Sequence, residues 1–146
     1  MSSIVFLAFE SPWPAYSGDK KRVLGLLKEL SQAFTIDLRL LVRAPLVAEQ
    51  EHELLRYARR VVQIPRRDQT VRDRLAVAAR MMAQRLPYHA AVVEHSLAAP
   101  GAPREARIPP QACVYANLLH WTAPLRHGGH ARWILDQQNA DWHFWE

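Results

Sequence analysis

The chain opens with Ile4-Val-Phe-Leu-Ala-Phe9, in which both alternating sets of side chains are apolar: Ile4, Phe6 and Ala8 on one side, Val5, Leu7 and Phe9 on the other. A strand of that kind has to be buried on both faces, as in a parallel sheet covered by helices. It runs into a Pro-rich loop, Glu10-Ser-Pro-Trp-Pro-Ala-Tyr16, then a Ser17-Gly18 turn and an amphipathic segment. This strand–loop–helix unit puts a glycine and a helix N-terminus at the carboxyl end of the first strand. In open α/β sheets that rim is where ligands bind. A helix N-terminus also offers unpaired N–H groups and a positive dipole end to an anion. The first twenty residues therefore point to a site for a phosphate or a sugar.

The rest of the chain repeats the alternation. From Asp19 to Ala33, the residues Val23, Leu24, Leu26, Leu27 and Leu30 recur at helical spacing, with Asp19 or Ser17 as the cap. Thr35–Val42 reads as a second strand. Pro45 breaks the chain, and Val47–Arg59 reads as a helix with Leu54, Leu55 and Ala58 inward. Val61–Ile64 is a short third strand stopped by Pro65. Thr70–Arg85 reads as a basic helix with Leu75, Val77, Ala78, Met81 and Met82 on its apolar side, closed by Leu86-Pro-Tyr-His89. Ala90–Ala99 fits a short helix, and Pro100–Pro110 a loop, because prolines and a glycine crowd it. Ala112–Ala116 and Trp133–Asp136 are the fourth and fifth strands. Repeated β–α alternation implies a parallel sheet with right-handed crossovers. The expected fold is α/β: a Rossmann-like open parallel sheet with helices on both faces, in a single domain spanning residues 1–146.

Length and composition agree with one independent core. A chain of 146 residues buries roughly 68–70% of its unfolded surface. The single cysteine, Cys113, excludes an internal disulfide and fits a reducing compartment. No stretch reaches the roughly 20 apolar residues that span a bilayer, and Met-Ser-Ser-Ile does not read as a signal peptide. The net charge of +5 rests largely on arginines, clustered at Arg56, Arg59, Arg60, Arg66, Arg67, Arg72, Arg74, Arg80 and Arg85. A basic surface attracts nucleic acid, anionic lipid or a phosphorylated substrate, or is simply a solvated helix face. The region lacks the interleaved aromatics of single-strand nucleic-acid binders, so no specific nucleic acid is expected.

Four stretches in register carry a resemblance. Ser11-Pro-Trp-Pro14 with Ser17-Gly18 and a helix bearing Arg22 and Leu26-Leu27 is the first. Leu86-Pro-Tyr-His89 with Ser96 is the second. Leu119-His-Trp-Thr-Ala-Pro124 is the third, and Ile134-Leu-Asp-Gln-Gln-Asn139 followed by Trp145-Glu146 the fourth. In this order they resemble the N-terminal domain of GT-B-fold glycosyltransferases of the retaining family called group 4. The resemblance implies two Rossmann-like domains with the active site between them. The chain would be the acceptor-side domain, and a C-terminal donor domain supplying most nucleotide-sugar contacts would be absent from it. It also implies a nucleotide-sugar donor, a glycan or lipid-linked acceptor and no cofactor or metal; a cytoplasmic location is expected, with the basic helix near Arg72, Arg74, Arg80 and Arg85 giving weak, salt-sensitive contact with the anionic inner face of the membrane. Bacterial surface polysaccharide is the implied product. The 146 residues alone are expected to be inactive. A non-catalytic α/β binding or regulatory module is the alternative.

Two departures stand out. Many relatives have Gly-Gly in the first loop where this chain has Gly18-Asp19, and an acidic side chain there repels a diphosphate unless it turns away to cap the helix. Relatives also place a His near the end of strand four, where Tyr115-Ala-Asn117 stands; His120 follows three residues later.

The candidate site residues each have two roles open. Gly18, beside Ser17, lets a backbone approach a phosphate, or is a turn glycine. His120, the candidate catalytic residue, contacts donor or acceptor, or packs beside Trp121. Asn139 is a ligand contact or a helix cap. Asn117, at the end of strand four, joins Ser17, Gly18 and Asn139 as a substrate-binding candidate. All five should converge on one rim of the sheet. His127-Gly-Gly-His130 has no Cys or carboxylate neighbours to complete a tetrahedral metal site, and Trp142, Phe144 and Trp145 form an apolar tail suited to an interface.

Overall fold

The computed structural model describes residues 2–117, 121 and 132–136. In chain order the elements are β1 (Ser2–Ala8), α1 (Gly18–Ala33), β2 (Phe34–Val42), α2 (Ala48–Leu55), β3 (Arg60–Pro65), α3 (Val71–Gln84), α4 (Tyr88–Ala98), a 3₁₀ turn (Arg104–Ala106), β4 (Cys113–Asn117) and β5 (Arg132–Asp136). The five strands form one sheet in the order β3-β2-β1-β4-β5, and every pair is parallel. This is the Rossmann-like α/β architecture that the alternating pattern implied.

The two apolar faces of β1 lead into two separate cores. Ile4, Phe6 and Ala8 join Ile36, Leu38 and Leu40 of β2 beneath Val23 and Leu27 of α1 and Leu54 of α2. Val5, Leu7 and Phe9 join Val62, Ile64 and Val114 beneath Val77 of α3 and Ala91, Val92 and Val93 of α4. The division follows from handedness. The chain steps from β1 to β2 to β3 in one direction, then returns past β1 to β4. Right-handed crossovers therefore put α1 and α2 on one face and α3 and α4 on the other. The order of the sheet reverses between β1 and β4, which are adjacent, and such a switch point opens a crevice at the carboxyl ends of the strands.

Local signals explain the helix ends. Ser17 caps α1 by accepting from the Lys20 N–H at 3.4 Å. Thr70 caps α3 by accepting from the Asp73 N–H at 3.1 Å while its hydroxyl donates to the Asp73 carboxylate at 2.7 Å. Arg85 ends α3 in the left-handed region, at φ 53°. Pro65 does not stop β3 but lies in it, opposite Val42. β3 is an edge strand, where a missing N–H leaves no ladder bond broken.

Two helices differ from expectation in what they bury. α2 ends at Leu55, earlier than the predicted Arg59, and turns so that Leu54 and Ala58 are buried while Leu55 is exposed. In α3, Val77 is buried and Met81 packs against the core, but Leu75 is 67% and Met82 83% exposed, and Val71 and Ala78 also face outward. α3 rests on the protein along the Val77–Met81 stripe, and the stripe 71/75/78/82 lies well over a quarter-turn around the helix. Spacing marked these residues as one apolar set; the docking angle of the helix divided them.

Arg39 is buried within the sheet, its Nη1 donating to the Ala106 carbonyl at 2.9 Å and so fastening the 3₁₀ turn. Burial first, and the nearby Arg60 second, lower its pKa to about 10 against the opposing pull of Asp37. Asp37 in turn is bridged by Arg59 at 3.0 Å and Arg60 at 2.7 Å. Among the described residues no helix is long and apolar enough to cross a membrane.

Candidate functional site

The switch-point crevice is built from the loop after β1, the first turn of α1 and the end of β4. The loop is held locally: Ser11 Oγ donates to the Trp13 carbonyl at 2.7 Å and accepts from the Trp13 N–H at 3.3 Å. Pro12 is buried and Trp13 packs against the α1-side core. The Trp13–Pro14 peptide is cis. The loop leads to Ser17 and Gly18 at the start of α1, where Ser17 shares a cavity wall with Asn117 of β4. A cavity of about 150 Å³ results, lined by Glu10, Ser11, Ser17, Asp19, Lys20 and Asn117, among others.

Asn117 is the distinctive member. It is 3% exposed, and its Nδ2 has no hydrogen-bond partner among the described residues. An unpaired buried donor costs roughly 1–3 kcal/mol. Arg39 Nε and Trp121 Nε1 are likewise without a partner among the described residues, and of the three only Asn117 lines the crevice. Gly18 gives a complementary observation. A Cβ built there meets nothing within 4 Å, and the backbone is not in the left-handed region. Nothing in the fold demands glycine at this position.

The structure thus brings Ser17, Gly18 and Asn117 to one rim. His120 and Asn139 lie outside the described residues, as do His127, His130, Trp142, Phe144 and Trp145. Trp121, beside His120 in sequence, is fully buried in the core on the α3/α4 face. The question of Gly18-Asp19 resolves against the capping role for the acid. Ser17 is the cap, and Asp19 remains on the cavity wall. With Glu10 and Asp19 present, the cavity offers carboxylate acceptors, an amide donor, two hydroxyls and one ammonium. That set suits the hydroxyls of a sugar better than a bare diphosphate.

The rim continues across β2 and β3 with different chemistry. Arg66, just past β3, has a side chain only 5% exposed. Its Nε and Nη2 donate to one oxygen of Asp68 at 2.8 and 2.5 Å. Its guanidinium lies 5.0 Å from the centre of the Phe9 ring, and Glu10 stands 4.0 Å away. Tyr88 donates to the same Asp68 oxygen at 3.0 Å. Burial pushes the Asp68 carboxyl up, but the hydrogen bonds from Arg66 and Tyr88, helped by the charges of Arg66 and Arg43, outweigh it. The group stays below the ordinary aspartate value and is ionised at neutral pH. His89 sits edge-on to Phe9 at 5.2 Å. Desolvation first, then the charge of Arg66, lowers its pKa, so the imidazole is neutral at pH 7.

Sequence reasoning did not single out Arg43, Arg66, Asp68, Arg74 or Tyr88 as site residues. Arg66 and Arg74 were read only as part of a basic surface. A usable signal was present: Arg43 and Arg66 are the first residues past two parallel strands, the same position rule that selected the loop after β1. Among the described residues no group of three or more His, Cys, Asp or Glu side chains is placed to hold a metal ion.

Compared with protein-family models, with curated proteins and with solved structures, the chain finds no match. What the protein does must be argued from the rim itself.

Proposed function

We propose that the chain is the acceptor-side domain of a GT-B-fold, retaining glycosyltransferase, which moves a sugar from a nucleotide-sugar donor to a glycan or lipid-linked acceptor. The observation that carries the reading is that Ser17, which flanks Gly18, and the Asn117 amide, unpaired among the described residues, line one crevice at the switch point of a parallel sheet. That is the place where such a fold binds ligands. A donor domain on the far side of the crevice supplies the nucleotide contacts. The developing charge on the leaving diphosphate is met by helix ends and basic side chains, a preorganised electrostatic stabilisation. His120 is the residue proposed to reach the reacting sugar, and Asn139 a further substrate contact.

Bacterial surface polysaccharide synthesis, at the cytoplasmic face of an anionic membrane, is the setting that fits. Support for membrane contact comes from α3, where the outward stripe of Val71, Leu75 and Met82 is flanked by the exposed Arg72 and Arg85. Basic side chains near an anionic surface contribute about 1 kcal/mol each. Co-sedimentation at low salt should show retention by anionic vesicles and not by neutral ones; equal binding to both removes the membrane proposal.

The enzymatic reading is tested with the chain extended through a second Rossmann-like domain. That protein should release nucleoside diphosphate from one member of a nucleotide-sugar panel in the presence of glycan or lipid-linked acceptors. The Asn117→Ala variant should lose at least about tenfold in kcat/KM, the equivalent of one hydrogen bond. No release with any donor would leave a non-catalytic module in its place.

A further inference from the structure

The second half of the rim forms a cavity of about 540 Å³, walled by Arg43, Arg66, Asp68, Gln69, Arg74 and Tyr88. Three guanidinium groups face one carboxylate. Asp68 is committed to Arg66, so the Arg66–Asp68 pair is close to neutral and the surplus charge belongs to Arg43 and Arg74. Glu10 lies on the other side of Arg66, in the adjoining cavity, where Lys20 also stands.

Much of the wall is tied down, Arg43 through its backbone and Arg66, Arg74 and Tyr88 through their side chains. Gln69 Nε2 donates to the Arg43 carbonyl at 3.1 Å, tying the loop after β2 to the loop after β3. Arg74 is held by the Asp68 carbonyl through Nε at 3.2 Å and by the Gln69 carbonyl through Nη2 at 3.5 Å. Its Nη1 has no hydrogen bond among the described residues. Arg66 and Tyr88 are both locked on Asp68. A guanidinium held in place loses little rotational freedom when it meets a ligand, and its fork matches the paired oxygens of a phosphate or carboxylate.

The geometry points to this cavity as a binding site for an oxyanion, a phosphate ester or a carboxylate, carried by the acceptor. It rests on the acceptor-side reading above and adds to it the charge class of the acceptor. The α1 half of the rim takes hydroxyls; the β2/β3 half takes the negative group beside them. The space exceeds that of a bare phosphate and accommodates a phosphorylated or acidic sugar unit.

The test uses the 146-residue chain and contains no nucleotide sugar, so its failure leaves the transferase reading standing, and failure of turnover leaves this site standing. Inorganic phosphate and glucuronate are titrated separately while the amide resonances of Arg43, Gln69 and Arg74 are followed by NMR. One or both ions should give saturable shifts there, and the ion that does identifies the source of the oxyanion. The Arg43→Gln/Arg74→Gln variant should bind at least about tenfold more weakly, as expected when charge-assisted hydrogen bonds are lost. Its spectrum should otherwise remain that of the folded chain. The Arg72→Gln/Arg85→Gln variant loses the same formal charge away from the cavity and should bind as the parent does. Equal weakening in both variants reduces the effect to diffuse charge and overturns the proposal. So does the absence of shifts with either ion, or shifts confined to Ser17 and Gly18.

Discussion

The two halves of the sheet's carboxyl rim share a backbone plan and differ in how their polar groups are satisfied. On the α1 side the groups are few and one of them, the Asn117 amide, is buried without a partner among the described residues. On the β2/β3 side most polar groups are engaged: Arg66 and Tyr88 with Asp68, Arg74 with two carbonyls. One half holds a buried donor unpaired among the described residues; the other ties most of its groups together and keeps a surplus of positive charge. The difference teaches that a site can be recognised by a deficit of hydrogen bonds or by an excess of oriented ones, and that the two signs lead to different ligand chemistries.

The largest effect should come from dismantling the β2/β3 half. Asp68→Asn leaves the buried Arg66 with only the half-exposed Glu10, 4.0 Å away, as counter-charge, which should destabilise the protein by up to about 3–5 kcal/mol in urea unfolding. The pH dependence has a definite sign. The folded carboxyl titrates below its ordinary value of 3.8, so its stabilisation is complete above that value and is lost as pH falls through the lower, folded one. The parent protein should therefore lose stability more steeply than Asp68→Asn under acid. A loss near zero at neutral pH would mean that the Arg66–Asp68 pair does not hold this half together.

Next comes Asn117→Leu, on the α1 half. Replacing an unpaired buried amide by an apolar group of similar volume should leave stability unchanged or raise it by about 1 kcal/mol. Turnover by the extended protein should fall at least about tenfold with it. Gain of stability with loss of function is the mark of a binding residue. A clear destabilisation would show instead that Nδ2 has a partner inside the fold.

Gly18→Ala should have a smaller structural effect still. A Cβ meets open space there, and alanine is favoured over glycine in a helix by at most about 1 kcal/mol. Thermal unfolding should shift upward slightly or not at all, while turnover by the extended protein declines because the methyl group occupies the ligand's approach. Full activity in this variant would reduce Gly18 to a turn residue.

The mildest test is salt. Raising ionic strength from 0.01 to 0.15 M shortens the screening length from about 30 to about 8 Å. Oxyanion binding at Arg43 and Arg74 should weaken over that range. Binding of a neutral sugar beside Asn117, followed by the same NMR titration, should be nearly unchanged. Parallel weakening of both would erase the distinction between the two halves.

Much of this was legible in the order of residue types. A strand apolar on both sides demanded a covered parallel sheet, and β1 has a helix layer on each face. Ser17 was available as a cap and became one. Asn117 was placed at a strand end, and it lies there. These outcomes follow from short-range physics: side-chain alternation, capping and the shared edge of parallel strands.

Other features could be set only by packing. The apolar residues of α3 have the right spacing for one face, yet Val77 is buried and Leu75 and Met82 are not. Periodicity defines which residues share a stripe but not which stripe meets the sheet; that depends on where α4 and the strands leave room. The pairing of Arg66 with Asp68 and Tyr88 joins the loop after β3 to the start of α4, and Gln69 reaches back to the carbonyl of Arg43. No spacing rule connects groups that meet only once the strands lie side by side. The sequence by itself determined a doubly covered parallel sheet whose strands end on one shared rim. The tertiary structure decided that the rim has two halves of opposite chemical character, because charge and desolvation depend on distances across the fold and not along the chain.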